Sequence, residues 1–235
     1  MIALEQVEVT REGQVILGPL SLGLPERRIG VIGRNGSGKS TLARVLSGLI
    51  ASDAGKIRVA GVDVWKDRRS AVKTVGILFQ NPDHQIIFPT VAEELGFGLA
   101  QMGLAAADVD QRVEAILTRF SKAHWSDRAI QTLSQGQRHL VCLMAVLAME
   151  PKLILLDEPF AGLDLPTKRA LNAYLAGLAP AIVHITHDLE AIADYDRAIW
   201  LEKGLVAGDG TPTEVIAAYR SAMDGGSDDL TDLTD

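Results

Sequence analysis

The sequence predicts an α/β fold: a parallel-rich core sheet, an antiparallel β portion at the N-terminus, and a helical insert. Three observations carry this reading. A glycine-rich loop stands between an apolar strand and a helix at 28–49. A second run, Leu153-Ile154-Leu155-Leu156, is apolar at every position, as a strand covered on both faces must be. Between the two, the α/β alternation is interrupted at 91–149 by a stretch whose apolar residues recur at helical spacing. Hydrophobic residues are 47% of the 235, enough for a large buried core and too many for a disordered chain.

From Ile2 to about Leu24 the chain is strand-like. Val7 and Val9 alternate with polar residues, and Arg11-Glu12-Gly13-Gln14 reads as a hairpin turn. Arg28 to Ile32 is a short apolar strand leading into the glycine-rich loop, and Thr41 to Leu49 is the helix after it. Lys56 to Val64 is a strand pair broken at Gly61, and Thr74 to Phe79 is a buried strand ending at Gln80, before the turn Asn81-Pro82-Asp83. In the insert, Val109, Val113, Ile116, Leu117 and Phe120 share one helix face. Alternation resumes with the strand at Leu153–Leu156, a helix at Thr167–Leu178, and a strand at Ala181–Ile185. A short helix and a closing hairpin, Arg197–Leu201 and Leu205–Gly208, follow. Residues 1–223 read as one domain and 224–235 as an acidic disordered tail.

The net charge of −7 counts against a broad basic face for nucleic acid. Cys142 lies in an apolar run and reads as a small core residue. The same run is too short to cross a bilayer, and the first residues lack the apolar core of a signal peptide.

Gly33 to Ser40 reads Gly-Arg-Asn-Gly-Ser-Gly-Lys-Ser, the phosphate-binding pattern GxxxxGK[ST] in its strand–loop–helix context. Gly33, Gly36 and Gly38 let the backbone curl so that its amides point at phosphate, with Arg34, Asn35, Ser37 and Thr41 completing the cradle. The helix N-terminus adds partial positive charge. Lys39 is placed to reach the outer phosphates, and the Ser40 hydroxyl to ligate Mg²⁺. The chain therefore binds a nucleoside triphosphate.

The Leu153–Leu156 strand ends in Asp157-Glu158-Pro159. Open parallel sheets bind ligands at the carboxyl ends of their strands, so this acid pair lands on the edge that carries the phosphate loop. Asp157 is placed to hold Mg²⁺, directly or through water, and Glu158 to orient or deprotonate an attacking water. An acid alone beyond a strand would read as a cap; beside a phosphate loop it reads as catalytic.

With these residues in hand, the chain resembles the ATP-binding subunits of ABC transporters over about residues 1–219. Five motifs stand in that family's order: the phosphate loop, Gln80, the signature Leu133-Ser134-Gln135-Gly136-Gln137, Asp157-Glu158 with the following loop Ala161-Gly162-Leu163-Asp164, and His187 in Ile185-Thr186-His187-Asp188. The resemblance implies the phosphate-loop NTPase fold of the ABC ATPases, with ATP and Mg²⁺ as cofactors. It implies ATP hydrolysis by a head-to-tail sandwich of two protomers, either a homodimer or a pair with a paralogue.

Each site would take the phosphate loop, Asp157, Glu158, Gln80 and His187 from one chain. Ser134, Gly136 and Gln137 would come from the other, and Asp164 would join the same nucleotide interface. Gln80 would offer its amide oxygen to Mg²⁺ or to the attacking water, and His187 would sense the γ-phosphate. His184 and His187 also form a weak zinc-like pair, against which strand alternation argues. Gln135 departs from the family pattern, where a glycine stands. So does Arg11, which occupies the place of an adenine-stacking aromatic; it either stacks its guanidinium on the base or is a solvated turn residue.

Asn81-Pro82-Asp83-His84-Gln85 looks like the extra glutamine-bearing turn of energy-coupling-factor (ECF) transporters. In that group Asp83 and Gln85 would sit near the nucleotide-sensing loop and the coupling groove. The resemblance implies uptake of a vitamin such as biotin, or of cobalt or nickel. The partners would be an integral membrane coupling subunit and a substrate-binding membrane subunit, at the cytoplasmic face of the cell membrane. A conventional importer with two permeases would share every catalytic residue. A soluble ABC ATPase working on ribosomes or DNA usually carries two cassettes or a coiled coil, and this chain shows neither.

Overall fold

The computed structural model describes residues 1–160 and 163–225. Strands β1 (Ile2–Arg11) and β2 (Gln14–Leu24) pair antiparallel across the Glu12-Gly13 turn, where both residues have positive φ (50° and 79°). That primed geometry matches the twist of the flanking strands. β4 (Ala54–Val59) and β5 (Val62–Asp63) repeat the device at Ala60-Gly61 and complete a four-stranded antiparallel sheet, ordered β2-β1-β4-β5.

The second sheet has six strands, ordered β10-β9-β3-β8-β7-β6. Its strands are β3 (Arg28–Ile32), β6 (Val75–Leu78), β7 (Leu153–Asp157), β8 (Ala181–Ile185), β9 (Arg197–Glu202) and β10 (Leu205–Gly210). All pair in parallel except β10, which turns back on β9.

β7 shows why an all-apolar strand was required. Leu153 and Leu155 enter the core shared with the antiparallel sheet and helix α1 (Lys39–Leu46), while Ile154 and Leu156 enter a second core on the opposite face. The side-chain period of two sends alternate residues to opposite layers, and here both layers are protein.

The second core is roofed by α3 (Val91–Gln101), α4 (Ala106–Arg119), α5 (Gln135–Ala148) and α6 (Leu165–Ala176). The first three fall between β6 and β7 in the chain. α4 buries Val113, Ile116 and Leu117 and half-buries Val109 and Phe120, the face read from the sequence.

Two helices escaped the sequence reading. α2 (Arg68–Thr74) is short and buries only Ala71 and Thr74; its signal was the Asp67 cap, which accepts from Ser70 N. α7 (Pro212–Gly225) packs Val215, Ile216 and Tyr219 near Trp200 of β9. Its start is a Thr211/Glu214 capping box with Pro212 at the first helical position, a legible signal. The helix runs past the expected tail boundary at 223, and 226–235 lie outside the described residues. α6 begins at Leu165, two residues before the expected Thr167.

Candidate functional site

The carboxyl ends of β3, β7 and β8 lie side by side, because β8 pairs with both β3 and β7. Three sequence-distant loops therefore converge. After β3 the chain curls through Gly33 to Gly38 into α1. A β-carbon on Gly33 would collide with the Leu201 carbonyl, and Gly38 caps α1 in the left-handed region (φ 97°). Both positions demand glycine. No side chain caps α1, so its first amides are left for an anion.

The loop folds around a cavity of about 230 Å³. Asn35 to Thr41, Gln80, Asp157, Glu158 and His187 line it. A second cavity of about 680 Å³ opens beside it, between Arg34–Ser37 and His187 on one side and Glu202, Lys203, Tyr219 and Met223 on the other.

Lys39 is nearly buried and donates to the Gly33 and Arg34 carbonyls at 2.7 and 2.8 Å. Burial pulls its ammonium below the usual lysine range, against the raising pull of Glu158, Asp157 and Glu202. A phosphate would replace loop carbonyls with a stronger, charged acceptor.

Ser40 Oγ donates to Asp157 Oδ1 at 3.1 Å across the cleft. Burial pushes the Asp157 carboxyl up, while Ser40, Arg44 and Lys39 pull it down. These paired hard oxygens on the cavity wall fit a Mg²⁺ that takes its remaining ligands from phosphate and water. Among the described residues no group of three or more His, Cys, Asp or Glu could hold a metal.

Glu158 follows β7 with a left-handed backbone (φ 48°), strain that turns its side chain into the cleft; its N–H donates to the Ile185 carbonyl. His187 Nε2 stands 3.1 Å from Glu158 Oε1. Burial raises the Glu158 carboxyl, partly offset by His187 and Lys39. His187 is held by its loop: the Asp188 N–H donates to Thr186 Oγ1, and Asp188 caps the following turn.

His184 is no zinc partner for His187. It is buried in β8 against the Tyr195 hydroxyl at 3.1 Å, and burial pushes its pKa down to about 4.

Ser134, Gly136, Gln137 and Asp164 lie away from the cavity wall. Ser134 caps α5, its hydroxyl accepting from Gln137 N while Gln137 Oε1 accepts from Ser134 N. This capping box fixes the signature loop with Ser134 and Gln135 solvent-exposed. Gly136 faces Leu163 and Thr167. Asp164 caps α6 through Thr167 N at 2.8 Å. Of the loop that carries it, Ala161 and Gly162 lie outside the described residues.

Arg11 ends β1, exposed, and is not on the cavity wall; Ile16 of β2 is, at a register shift of the hairpin. Sequence reasoning also missed His139 and Arg138, which tie α5 to the turn after Gln80.

Residues 17–161 match the family described as ABC transporter. The biotin transport ATP-binding protein BioM of Rhodobacter capsulatus is 51% identical over 94% of this chain and 95% of its own length. The BioM protein of Rhizobium etli is 41% identical over 93% and 97%. Among solved structures, cbiO1 from Clostridium perfringens, part of the ABC transporter complex cbiONQ, superposes with a TM-score of 0.80 at 28% identity, covering 95% of this chain and 93% of that one.

Proposed function

Because the chain belongs to the ABC transporter family, as an ATP-binding subunit that hydrolyses ATP, we propose that it powers uptake of biotin through an ECF-type transporter. ATPases of this family act as dimers and with membrane subunits. The observation that carries the reading is the division of the motifs. The phosphate loop, Asp157, Glu158, Gln80 and His187 share one cavity, whereas Ser134 is displayed to solvent on another element. One chain thus holds half of each of two sites.

In this reading 1–223 form one ATP-binding domain, with 91–149 inserted. Lys39, Ser37 and the α1 amides hold the phosphates; Ser40, Asp157 and Gln80 hold Mg²⁺, which would neutralise phosphate charge. Glu158 accepts the proton of the attacking water and His187 contacts the γ-phosphate. Ser134, Gly136 and Gln137 of a second copy close the site, with Asp164 bordering the interface. Closure drives membrane subunits through the groove near Gln80 to Gln85; Ile87 and Phe97, further along the chain, are exposed. Among the described residues no helix is long and apolar enough to cross a membrane, so membrane association would come through those partners.

Biotin is favoured by the 51% and 41% identical relatives. Cobalt or nickel is the second reading, supported by the likeness to the cbiONQ subunit. The test is to tag the chain in its native host, solubilise the membranes in mild detergent, and identify what co-purifies. A coupling membrane protein with a small membrane protein that carries biotin supports the proposal. Two ordinary permeases would place the chain among conventional importers, and soluble partners alone would overturn the transporter reading.

A further inference from the structure

The first turn of α5 does more than present the signature. His139 is 1% exposed, and its two ring nitrogens each stand 3.1 Å from a carbonyl oxygen: Nδ1 from Gln135, Nε2 from Gln80. Gln135 lies inside the signature, and Gln80 lies on the wall of this chain's own nucleotide cavity. A neutral imidazole carries one N–H; in its Nε2–H form it donates to the Gln80 carbonyl and makes no hydrogen bond to Gln135, which is joined to His139 by the helix that carries both.

Next to it, Arg138 Nη1 donates to Asp83 Oδ1 at 2.9 Å, so a second tie joins α5 to the same turn. Gln85 Oε1 accepts from Phe79 N and closes that turn back on the end of β6. The two contacts are unequal. The Arg138–Asp83 pair is partly exposed and contributes little. The His139–Gln80 hydrogen bond is buried, where a lost partner leaves a polar group unsatisfied.

We propose that His139 is a positioning residue that couples the two nucleotide sites of the dimer, by holding the Gln80 backbone and the signature turn as one rigid body. This rests on the two-copy site proposed above. There, Gln80 serves the nucleotide of its own chain and Ser134 that of the partner. A shift of Gln80 on binding ATP then moves Ser134 toward or away from the other site, which is a coupling free energy between distinct sites.

The experiment measures ATP hydrolysis by the full-length chain against ATP concentration, for the parent, His139→Ala and His139→Gln. Binding of a fluorescent ATP analogue to each variant is measured alongside. The Gln amide nitrogen takes the place of Nε2–H and can donate to the Gln80 carbonyl. The parent should show a Hill coefficient well above 1, bounded by the number of sites. His139→Ala should bind the analogue within about twofold of the parent, yet hydrolyse with a Hill coefficient near 1 and a kcat lowered about tenfold, equivalent to one lost buried hydrogen bond. His139→Gln should restore most of both.

Parental cooperativity and rate in His139→Ala would overturn the coupling role. Equal loss in the Ala and Gln variants would reduce the residue to packing and overturn it as well. No hydrolysis, or no cooperativity, in the parent would instead overturn the two-copy site, and this coupling with it.

Discussion

His187 Nε2 and Glu158 Oε1 meet at 3.1 Å across the mouth of the phosphate-loop cavity, although 29 positions separate them in the chain (187 − 158). The contact exists because β7 and β8 are adjacent parallel strands whose carboxyl ends deliver both residues to one edge. It places the proposed proton acceptor, its carboxyl raised by burial, next to a group that lines the same cavity. Replacing His187 by Ala removes one of the two groups that pull the Glu158 carboxyl down. Steady-state phosphate release should fall by about 10²-fold or more, as for loss of a group acting on the proton-transfer step. Equilibrium binding of a fluorescent ATP analogue should be nearly unchanged. Equal losses of binding and turnover would place His187 in ground-state binding only.

Lys39→Ala should weaken ATP binding by at least about tenfold, the equivalent of a charge-assisted contact of roughly 1.5–3 kcal/mol. The loop should keep its shape, since Gly33 and Gly38 fix it through their backbone conformation. Fluorescence titration measures the affinity, and a thermal melt without nucleotide checks the fold.

Ser134→Ala separates a structural from a functional role. Loss of the N-cap costs about 1 kcal/mol, which lowers Tm by about 2–4 °C in a domain of this size. The isolated chain should still bind nucleotide normally, because Ser134 is not on its own cavity wall. Turnover should fall by far more than the stability loss explains, because in the proposed dimer the missing hydroxyl belongs to the second site.

His184 makes stability pH-dependent. Its folded pKa, about 4, lies below the ordinary 6.5, because burial disfavours the imidazolium. The unfolded chain therefore takes up the proton first as pH falls. The stabilising contribution is fully present above about 6.5 and is lost progressively as pH falls from there toward about 4, on the order of 3 kcal/mol in total. His184→Gln, which keeps a partner for the Tyr195 hydroxyl, should flatten that fall in urea midpoints between pH 6.5 and 4. An unchanged slope would assign the acid sensitivity to other groups.

The sheet and the convergence of the glycine-rich loop, Asp157 and Glu158 on one edge were legible where one local rule decided the outcome. The glycine spacing at 33–38 permits little but a phosphate cradle, and four apolar residues before Asp157 permit little but a two-faced strand. Elements whose stability comes from tertiary packing were not legible in the same way. α2 buries two residues and offers almost no periodicity, so its Asp67 cap went unread. Ile16 joins the cavity wall, while the hairpin register leaves Arg11 at the exposed end of β1. His139 carried no local signal at all. Its role depends on a carbonyl 59 positions away, brought to it by the packing of the 81–85 turn on α5.

The central claim is that one chain holds half of each of two ATP sites. Glu158→Gln removes the proposed proton acceptor while leaving Lys39, Ser40 and the α1 amides in place. The direct measurement is the mass of this variant by light scattering in Mg²⁺ and ATP, with bound nucleotide counted by chromatography. The account predicts a stable dimer holding two ATP molecules, hydrolysing about 10²–10⁴-fold slower than the parent. A monomer that binds ATP with no change of mass, or a variant that turns over at the parental rate, would contradict it.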